Sequence, residues 1–402
     1  MNRRLSRTKH EIITITVVLL LLGSFIVCGS SCGTSPSFSS EIQTQMTSAV
    51  QKIMRDYKVP GAIVGVWQKG KGEYTKAFGE AQVGGGGKPM TTDMLWRIAS
   101  ITKTFTANAI LQLVDEKKVS LNDKLSKFSW SAGLANADQI TVRMLLNHTS
   151  GYPDLENDAP GFQKERFGNP NKVWTHDEIL AWGRTLQPLF PPGQGYHYTN
   201  LGYYLLGMIM ESVTGKTAEQ EIQRLCADRL GLADTRLAVM PAYLRSKPHS
   251  DGYVLLSEMP PGITVPGSGE VANATGWNIT AAWTAGAVVS KLSDMKTWSE
   301  SVASGSLLSQ AMRKAQLEDP IAEDEAGTSY YGLGVNIMKL PSGEWRWHNG
   351  AVPGYSSFAG SLSDKSVTIV VFMNVMPAAN QENAVATKLA LELLNALQLK
   401  KP

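Results

Sequence analysis

Apolar residues recur every three or four positions in several stretches of the chain, the spacing that places them on one face of an α-helix. The first stretch follows a serine-rich segment and stops before Pro60-Gly61, a pair that ends helices. Later stretches run from about Ser100 to Glu116, from Asn200 to Val213 and from Asn383 to Leu397. The pattern therefore predicts a helix in each of these regions.

Runs of β-branched and aromatic residues predict strands near both ends of the chain. Ala62–Trp67 and Tyr74–Phe78 flank the turn Lys69–Gly72 in the pattern of a β-hairpin. Further strands are predicted at Gly332–Met338, Trp345–His348, Phe358–Ser361 and Val367–Met373. Between about Leu121 and Trp298, helical patterns and loops rich in proline and glycine dominate. We expect a mixed α/β (α+β) fold, in which antiparallel sheet from both ends of the sequence encloses a helical middle.

Length and composition set the scale of this fold. The chain has 402 residues, of which 43% are hydrophobic and 18% are charged. These proportions are ordinary for a globular protein, and the length exceeds what one small core serves. We expect one large two-part domain, or two domains that share a cleft.

The charge pattern adds an expectation about location. The formal net charge is +3, and the excess of basic over acidic residues in the first eleven positions accounts for all of it. The rest of the chain is neutral overall, so no nucleic-acid partner is expected. The basic residues precede the apolar run Ile12–Val27, in the order of a secretion signal. We predict export to the periplasmic or extracellular face, and a transmembrane helix is the second interpretation because the run is shorter than the ~20 residues that span a bilayer.

The cysteines near the end of the leader are candidates for its attachment to the membrane. Cys28 and Cys32 lie among small residues after the apolar run, and the segment ending at Cys32 resembles a lipobox, although Gly29 stands where lipoproteins usually carry Leu. A lipid on Cys32, an uncleaved leader, and inert or mutually paired cysteines are the alternatives. Only Cys226 lies in the body of the sequence, so no disulfide framework is expected. We assign residues 1–32 to a leader and residues 33–40 to a tether.

The first candidate for chemistry is Ser100-Ile-Thr-Lys103, which opens the second predicted helix. The i, i+3 spacing puts a hydroxyl and an ammonium group on one face. Free N–H groups and the positive dipole end at a helix N-terminus stabilise a developing alkoxide or oxyanion. The motif predicts a nucleophile at Ser100 activated by Lys103, and the alternative is that Ser100 is only an N-cap.

The second candidate is Tyr198-Thr-Asn200, at the start of the third predicted helix. A tyrosine beside a lysine loses its proton more readily, because the ammonium group stabilises phenolate, so Tyr198 could take the proton of Ser100. The amide of Asn200 could orient Lys103 or hold a substrate carbonyl. A packed tyrosine and an asparagine N-cap are the structural alternative.

The third candidate, His348-Asn349-Gly350, closes a predicted strand. Gly350 would let a substrate backbone approach closely. The N–H of Ala351 could join that of Ser100 in an oxyanion hole. A lone histidine is more often structural, but three motifs in this order, at separations that suit one cleft, together favour an active site.

With these motifs the sequence resembles the serine β-lactamase and D-alanyl-D-alanine peptidase superfamily, in its class C-like branch of DD-carboxypeptidases and related esterases. The resemblance covers essentially Ile42 to Leu397. It is carried by Met90–Ala107, Leu145–Gly151, Tyr198–Gly207, Thr284–Ser290 and His348–Tyr355. It implies a domain over about residues 41–400, with a sheet lobe (about 41–115 and 300–400), an all-helical lobe (about 116–299) and the active site in the cleft between them.

The resemblance also implies roles for individual residues. Ser100 would be the nucleophile, Lys103 its activating neighbour and Tyr198 the general base and acid. Asn200 would contact a substrate carbonyl, and the N–H of Ala351 would be an oxyanion donor. His348, Asn349 and Gly350 are the further candidate residues of the substrate-binding and oxyanion site. The partner is then a peptide or small-molecule substrate.

The third motif departs from the family pattern. β-Lactamases of this branch carry Lys-Thr-Gly there and DD-peptidases often His-Thr-Gly, whereas this chain has His348-Asn349-Gly350. A histidine that titrates near neutrality replaces a permanent charge, and Asn349 lacks the hydroxyl that would bind a substrate carboxylate. We expect a D-alanyl-D-alanine carboxypeptidase-like peptidase or a small-ester hydrolase, on which β-lactams act at most as slow acylating inhibitors.

Other interpretations stay open at this stage. A class C-like β-lactamase and a non-catalytic penicillin-binding or scaffold protein are the alternative functions. From Ile42 to Leu397 the sequence contains neither a G-x-S-x-G elbow nor an H-E-x-x-H motif, so we expect neither an α/β-hydrolase nor a metal or other cofactor. Trp283, Tyr355 and Trp347 are candidate aromatic residues of the cleft, although core packing is expected for at least one of them. His148 is expected to brace the fold. No pattern indicates an oligomeric state.

The lipid interpretation is tested by replacing Cys32 with alanine. We expect the wild-type protein in the membrane or envelope fraction, and Cys32→Ala in the soluble exported fraction, because the variant lacks the thioether that would carry the lipid. Cell fractionation with immunodetection measures both. Unchanged membrane association of the variant would contradict lipidation, and a cytoplasmic wild-type protein that begins at Met1 would contradict export itself.

Overall fold

The computed structural model describes residues 36–84, 87–259, 270–324, 327–376 and 385–399. The predicted leader and the first three residues of the predicted tether, 33–35, lie outside these residues. None of the helices in these ranges has the length and apolar character needed to cross a bilayer.

The strands of the described residues are numbered in chain order. They are β1 (Gly61–Gln68), β2 (Gly72–Gln82), β3 (Lys88–Pro89), β4 (Trp96–Arg97), β5 (Arg236–Leu237), β6 (Tyr253–Leu255), β7 (Val271–Asn273), β8 (Val288–Ser290), β9 (Ile321–Ala322), β10 (Ser329–Tyr331), β11 (Asn336–Leu340), β12 (Gly343–Val352), β13 (Tyr355–Leu362), β14 (Val367–Met373) and β15 (Val375–Met376).

The α-helices are numbered in the same way. They are α1 (Ser40–Asp56), α2 (Thr102–Asp115), α3 (Val142–Leu146), α4 (Leu155–Asp158), α5 (Pro160–Gly168), α6 (His176–Thr185), α7 (Asn200–Thr214), α8 (Ala218–Ile222), α9 (Asp228–Leu230), α10 (Pro241–Arg245), α11 (Trp283–Gly286), α12 (Leu292–Ser304), α13 (Gln310–Leu317) and α14 (Val385–Ala396).

The main sheet unites the two ends of the sequence. Counted over the described residues, it has nine strands in the order β3-β2-β1-β14-β13-β12-β11-β10-β9. Neighbouring strands pair antiparallel, and β1 pairs along its length with β14. All of β14 is buried, as its continuous apolar run requires of a strand covered on both faces. The N-terminal hairpin and the C-terminal strands therefore form one sheet.

Helices cover both faces of this sheet. On β14, Ile369 and Val371 belong to the core shared with α1 and α14, whereas Val370 and Phe372 belong to the second core, shared with α2, α7 and α12. This division follows from the alternation of side chains along a strand. The expected fold, an antiparallel sheet flanked by helices, is confirmed.

Helix α2 is buried around its whole circumference from Thr102 to Leu113. Its first turns are braced by Trp298 of α12, which stacks on Phe105 and donates its indole N–H to Thr104 Oγ1 at 2.7 Å. A helix that is buried all round has its position set by its neighbours. The start of α2 is thus a rigid support for the side chains that it carries.

Two details differ from the predicted elements. The strand expected from Gly332 begins at Asn336, because Gly334 adopts a φ of 80° in a turn where Gly332 N–H donates to Val335 O at 2.9 Å. The helical middle also contributes short strands to two further sheets, β15-β6-β7 and β4-β8-β5. Strands of two or three residues are too short to show an alternating pattern in the sequence.

Candidate active site

Ser100 lies in a 3₁₀ turn, Ala99–Ile101, that leads directly into α2. The preceding Ala99 has a φ of 52°, a conformation that is strained for a residue with a side chain. Ser100 itself is 7% exposed. Gly350 of β12 presses on this turn, since a Cβ at that position would lie 2.7 Å from the backbone nitrogen of Ser100. The contact holds the Ser100 hydroxyl at the junction of sheet and helix.

Lys103 is fully buried one turn after Ser100. Its Nζ lies 3.1 Å from Ser100 Oγ, and it donates to Oδ1 of Asn200 at 2.6 Å and to the carbonyl oxygen of Ala285 at 2.9 Å. Burial lowers the pKa of Lys103 to about 7, although nearby carboxylates oppose this change. A large fraction of molecules therefore carries a neutral amine near neutral pH.

The hydrogen bonds define where the lone pair of the neutral amine points. A neutral amine has two N–H donors and one lone pair. The carbonyl oxygens of Asn200 and Ala285 take both donors. The lone pair is then left for the third neighbour, Ser100 Oγ. This geometry suits Lys103 to accept the Ser100 proton as the serine attacks a carbonyl carbon.

Tyr198 completes the arrangement around Ser100. Lys103 Nζ lies 4.8 Å from the centroid of its ring. A hydrogen bond with Ser100 lowers the pKa of the Tyr198 phenol, but burial outweighs it and raises that pKa well above its ordinary value. The expectation of a phenolate stabilised by Lys103 is therefore wrong. Tyr198 is a neutral phenol, which can still relay a proton to a leaving group.

Asn200 stands at the first position of α7 and is held by a residue that the sequence did not reveal. Its backbone N–H donates to Oδ1 of Asp154 at 2.9 Å, and its amide nitrogen lies 3.4 Å from Oδ2 of the same carboxylate. Asp154 is fully buried. Of the two roles expected for Asn200, the geometry shows the contact with Lys103. The available signal for Asp154 was its place three residues after the family-like segment Leu145–Gly151.

His348 is 1% exposed on β12. Its Nε2 lies 3.2 Å from the hydroxyl of Tyr331, and its Nδ1 lies 2.6 Å from the carbonyl oxygen of Asn349. A proton on Nδ1 would satisfy both contacts, with Tyr331 donating to Nε2. Burial, followed by the charge of Lys103, lowers the pKa of His348 to about 3. His348 therefore stays neutral near physiological pH, which corrects the expectation that it titrates there.

The other two residues of the third motif also differ from expectation. Asn349 faces the opposite side of the sheet from His348, as strand alternation requires, and donates its amide to Thr387 Oγ1 of α14 at 3.1 Å. At Gly350, the backbone that approaches closely is the protein's own, because a Cβ there would lie 2.6 Å from Ile98 O. Neither position supports the expected contact with substrate.

Ala351 lies on a part of β12 that has an open edge. The pairing of β12 with β11 ends at Trp347, whereas the pairing with β13 continues through Val352. Within the described residues, positions 348–352 therefore lack a strand partner on the β11 side. An extended substrate could pair with this edge. The oxyanion role of the Ala351 N–H stays a prediction.

Three aromatic residues that were candidates for the cleft pack in the core or against it. Tyr355 is fully buried, and Trp347 stacks on Phe358 with ring centroids 5.4 Å apart. Trp283 is also buried and donates its indole N–H to Glu219 Oε1 at 2.9 Å.

Several tyrosines pack around His148. The ring centroids of Tyr196, Tyr198 and Tyr331 lie 6.0, 4.4 and 4.7 Å from that of His148. His148 is fully buried, and its Nδ1 accepts the backbone N–H of Thr199 at 3.2 Å. His148 thus has a bracing position. Tyr196 and Tyr331 were missed because no local motif distinguishes them from core tyrosines.

The family of the chain follows from comparison with known proteins. The family described as Beta-lactamase matches residues 46–393, a range that contains Ser100, Lys103, Tyr198 and His348. The chain therefore belongs to the β-lactamase family, and the resemblance drawn from its motifs is confirmed. It is an enzyme, a serine hydrolase of this family. No group of three or more His, Cys, Asp or Glu side chains that could hold a metal ion occurs in the described part of the chain.

Individual relatives show the range of this family. A penicillin-binding protein of Bacillus subtilis (strain 168) is 26% identical over 327 residues, which are 78% of this chain and 67% of that protein. Esterase EstB of Burkholderia gladioli is 27% identical over 236 residues, 57% of this chain and 60% of the esterase. The crystal structure of a D-stereospecific amidohydrolase from Streptomyces sp. matches with a TM-score of 0.71 at 27% identity and covers 89% of this chain and 97% of that one.

The role of the Tyr198 hydroxyl is tested by Tyr198→Phe. We expect kcat for an aryl ester to fall by about 10²–10⁴-fold, because the variant loses a proton relay. The ring still packs on His148, so the melting temperature should change little. Tyr196→Phe is the matched control, since its hydroxyl bonds Glu323 at 2.9 Å rather than Ser100. Turnover by Tyr198→Phe equal to that of the control would exclude Tyr198 from proton transfer.

The lowered pKa of Lys103 predicts the pH dependence of acylation. Protonation removes the lone pair that Ser100 needs, so kcat/KM should be low in acid and rise with pH through a midpoint at about 7. His348 should add no step near neutrality, because burial holds its pKa at about 3. Steady-state kinetics across this range measure the profile. A rate that is independent of pH around neutrality would contradict Lys103 as the base.

Proposed function

We propose that the protein hydrolyses an amide or a small ester that carries no carboxylate beside the scissile bond, through an acyl-enzyme on Ser100. The observation that carries this proposal is the charge of the site. His348 is neutral and buried where β-lactamases of this branch carry a lysine, and Asn349 points away from Ser100. In the part of the chain that the structure describes, these two positions thus offer hydrogen bonds and no fixed cation for a substrate carboxylate.

The proposed acylation uses the contacts around Ser100. As Ser100 Oγ bonds to the carbonyl carbon, its proton passes to the lone pair of Lys103 Nζ, 3.1 Å away. The leaving amine or alcohol departs with a proton delivered through the Tyr198 phenol, and Lys103 returns to its neutral form. Water then repeats the sequence on the acyl-enzyme, giving its proton to the same relay. Protons balance at each step without a cofactor.

The surrounding charges favour a substrate without a carboxylate. The formal charges that shift the pKa values of Lys103, Tyr198 and His348 come from Lys103 itself, Asp154 and Glu156, as far as the described residues extend. The internal segments outside that description (85–86, 260–269, 325–326 and 377–384) contain no Lys or Arg in their sequence. Among the described residues, a carboxylate near Ser100 would face Asp154 and Glu156, and Glu156 is already paired with Arg166 at 2.6 Å. The cation in contact with Ser100 is Lys103, which is charged in only part of the molecules near neutral pH and so offsets the desolvation of a carboxylate incompletely.

The relatives support an ester or amide substrate. One is an esterase and another a D-stereospecific amidohydrolase, and both align with this chain at 27% identity. The penicillin-binding relative keeps a D-alanyl-D-alanine carboxypeptidase as the competing proposal. We also propose that the reaction takes place in the cell envelope, on the basis of the basic and apolar order of the first residues.

A pair of substrates that differ only in charge tests this proposal. An acyl-D-Ala-D-Ala peptide and its C-terminal amide share every contact except the carboxylate. We expect kcat/KM to be at least about tenfold higher for the amide, since an uncompensated charge costs more than the ~1.4 kcal/mol that a factor of ten represents. An aryl acetate and a chromogenic cephalosporin complete the panel, with Ser100→Ala as the background control.

The outcomes separate the candidate functions. Faster cleavage of the free acid would favour the carboxypeptidase, and rapid cephalosporin turnover would favour a β-lactamase. No labelling of Ser100 by a fluorophosphonate would contradict the acyl-enzyme itself.

A further inference from the structure

The loop from His148 to Asp154 holds the Tyr198–Asn200 segment in position through hydrogen bonds. His148 Nδ1 accepts the N–H of Thr199 at 3.2 Å, and Asp154 Oδ1 accepts the N–H of Asn200 at 2.9 Å. Thr199 Oγ1 donates in turn to Pro153 O at 2.9 Å. Thr199 itself makes no side-chain cap at the start of α7, so the buried Asp154 carboxylate performs that task from another part of the chain.

Asp154 also determines which end of the Asn200 amide faces Lys103. A carboxylate only accepts hydrogen bonds, so the amide nitrogen of Asn200 turns toward Asp154 Oδ2, 3.4 Å away. The amide oxygen then faces Lys103 Nζ at 2.6 Å. Were the amide reversed, its N–H would donate to the lone pair of Lys103 and compete with Ser100. The orientation therefore leaves the lone pair free.

We propose that Asp154 is a positioning residue for acylation: its carboxylate fixes the Asn200 amide so that the lone pair of Lys103 stays directed at Ser100. The proposal rests on the proposed acyl-enzyme and adds a residue that acts on it through Asn200. Asp154 needs no contact with substrate for this role. Asn157 Nδ2 supports the carboxylate from the other side, at 2.7 Å from Oδ2.

The charge of Asp154 makes this role detectable in the pH dependence of the acylation rate. The charged groups that face Asp154 are Lys103 on α2 and Glu156 and Asp158 on the adjacent α4, and those that face Lys103 are Asp154 and Glu156. Glu156 is paired with Arg166 of α5 at 2.6 Å, and Asp158 contacts His197 at 2.7 Å. The carboxylate of Asp154 favours the ammonium form and so opposes the burial of Lys103. Removing this charge should lower the pKa of Lys103 further. The rise of the acylation rate with pH, here called the acidic limb, should therefore occur at lower pH.

The test is the rate at which an alkyl fluorophosphonate labels Ser100 in the full chain, followed across pH for wild type and Asp154→Asn. The asparagine can donate to Asn200 Oδ1 and so permits the reversed amide. We expect the plateau rate at high pH to fall by about 10²-fold, the scale of a misplaced catalytic group, and the acidic limb to move to lower pH. The probe does not depend on the identity of the natural substrate.

Asp158→Asn is the matched control, because it removes the same charge from α4, and Asp158 accepts the N–H of Asp154 without contacting Asn200. We expect its plateau rate to stay within about twofold of wild type, well inside the scale of a lost positioning contact. Asn157→Ala, which keeps the Asp154 carboxylate, is the second variant in case Asp154→Asn does not fold, and it should move the limb in the same direction by less.

The possible results distinguish the positioning role of Asp154 from a structural role and from failure of the acyl-enzyme. If the labelling rate of Asp154→Asn at high pH falls but the pH at which the rate rises is unchanged, Asp154 has a purely structural role and the proposal is overturned. A folded Asp154→Asn protein whose labelling rate follows the wild-type pH dependence would overturn it too. An equal loss in Asp158→Asn would overturn it as well. A wild-type protein that the probe does not label would instead overturn the acyl-enzyme on which the proposal rests.

Discussion

The burial of the Lys103 amine is the constraint on which the site depends. An ammonium group removed from water is costly unless it is paired or gives up its proton. Among the described residues, the fold offers Lys103 two carbonyl oxygens at contact distance and keeps the carboxylate of Asp154 behind Asn200. Carbonyls accept hydrogen bonds from an amine in either protonation state, so they do not hold it charged as a directly bonded carboxylate would. The result is an amine that can act as a base near neutral pH.

Three distant parts of the chain must meet to create this environment. α2 carries the amine, α7 supplies Asn200, and α11 supplies the carbonyl of Ala285. Helices α7 and α11 approach closely at Gly207, where a Cβ would lie 2.4 Å from Thr284 Oγ1, and that hydroxyl donates to Tyr203 O at 2.9 Å. The family-like segments at Tyr198–Gly207 and Thr284–Ser290 therefore include residues that bring these helices to Lys103. Much of the sequence resemblance reflects the packing around one amine.

The sequence predicted the parts of this arrangement that rest on local pattern. Ser100 and Lys103 share a helix, so their spacing alone places them together, and the long apolar run of β14 identifies a central strand. Asp154 and Tyr331 could not be found in this way, because they reach the site only through tertiary packing. The error over the Tyr198 proton has the same origin. Sequence supplied the neighbouring charge, whereas the burial that outweighs it depends on the whole fold.

The third motif shows how one replacement changes more than a charge. A lysine at position 348 would place a second ammonium group near Lys103 and lower its pKa further, whereas neutral His348 accepts a hydrogen bond from Tyr331 and joins the tyrosines around His148. With Lys103 in its neutral form, the charges that act on it within the described residues are those of Asp154 and Glu156, and Glu156 is paired with Arg166 at 2.6 Å. Lys103 becomes an ammonium group only as it takes the Ser100 proton, so a cation forms beside the developing oxyanion during acylation rather than being present beforehand. This difference in charge between His348 and a lysine is the physical basis of the proposed preference for substrates without a carboxylate.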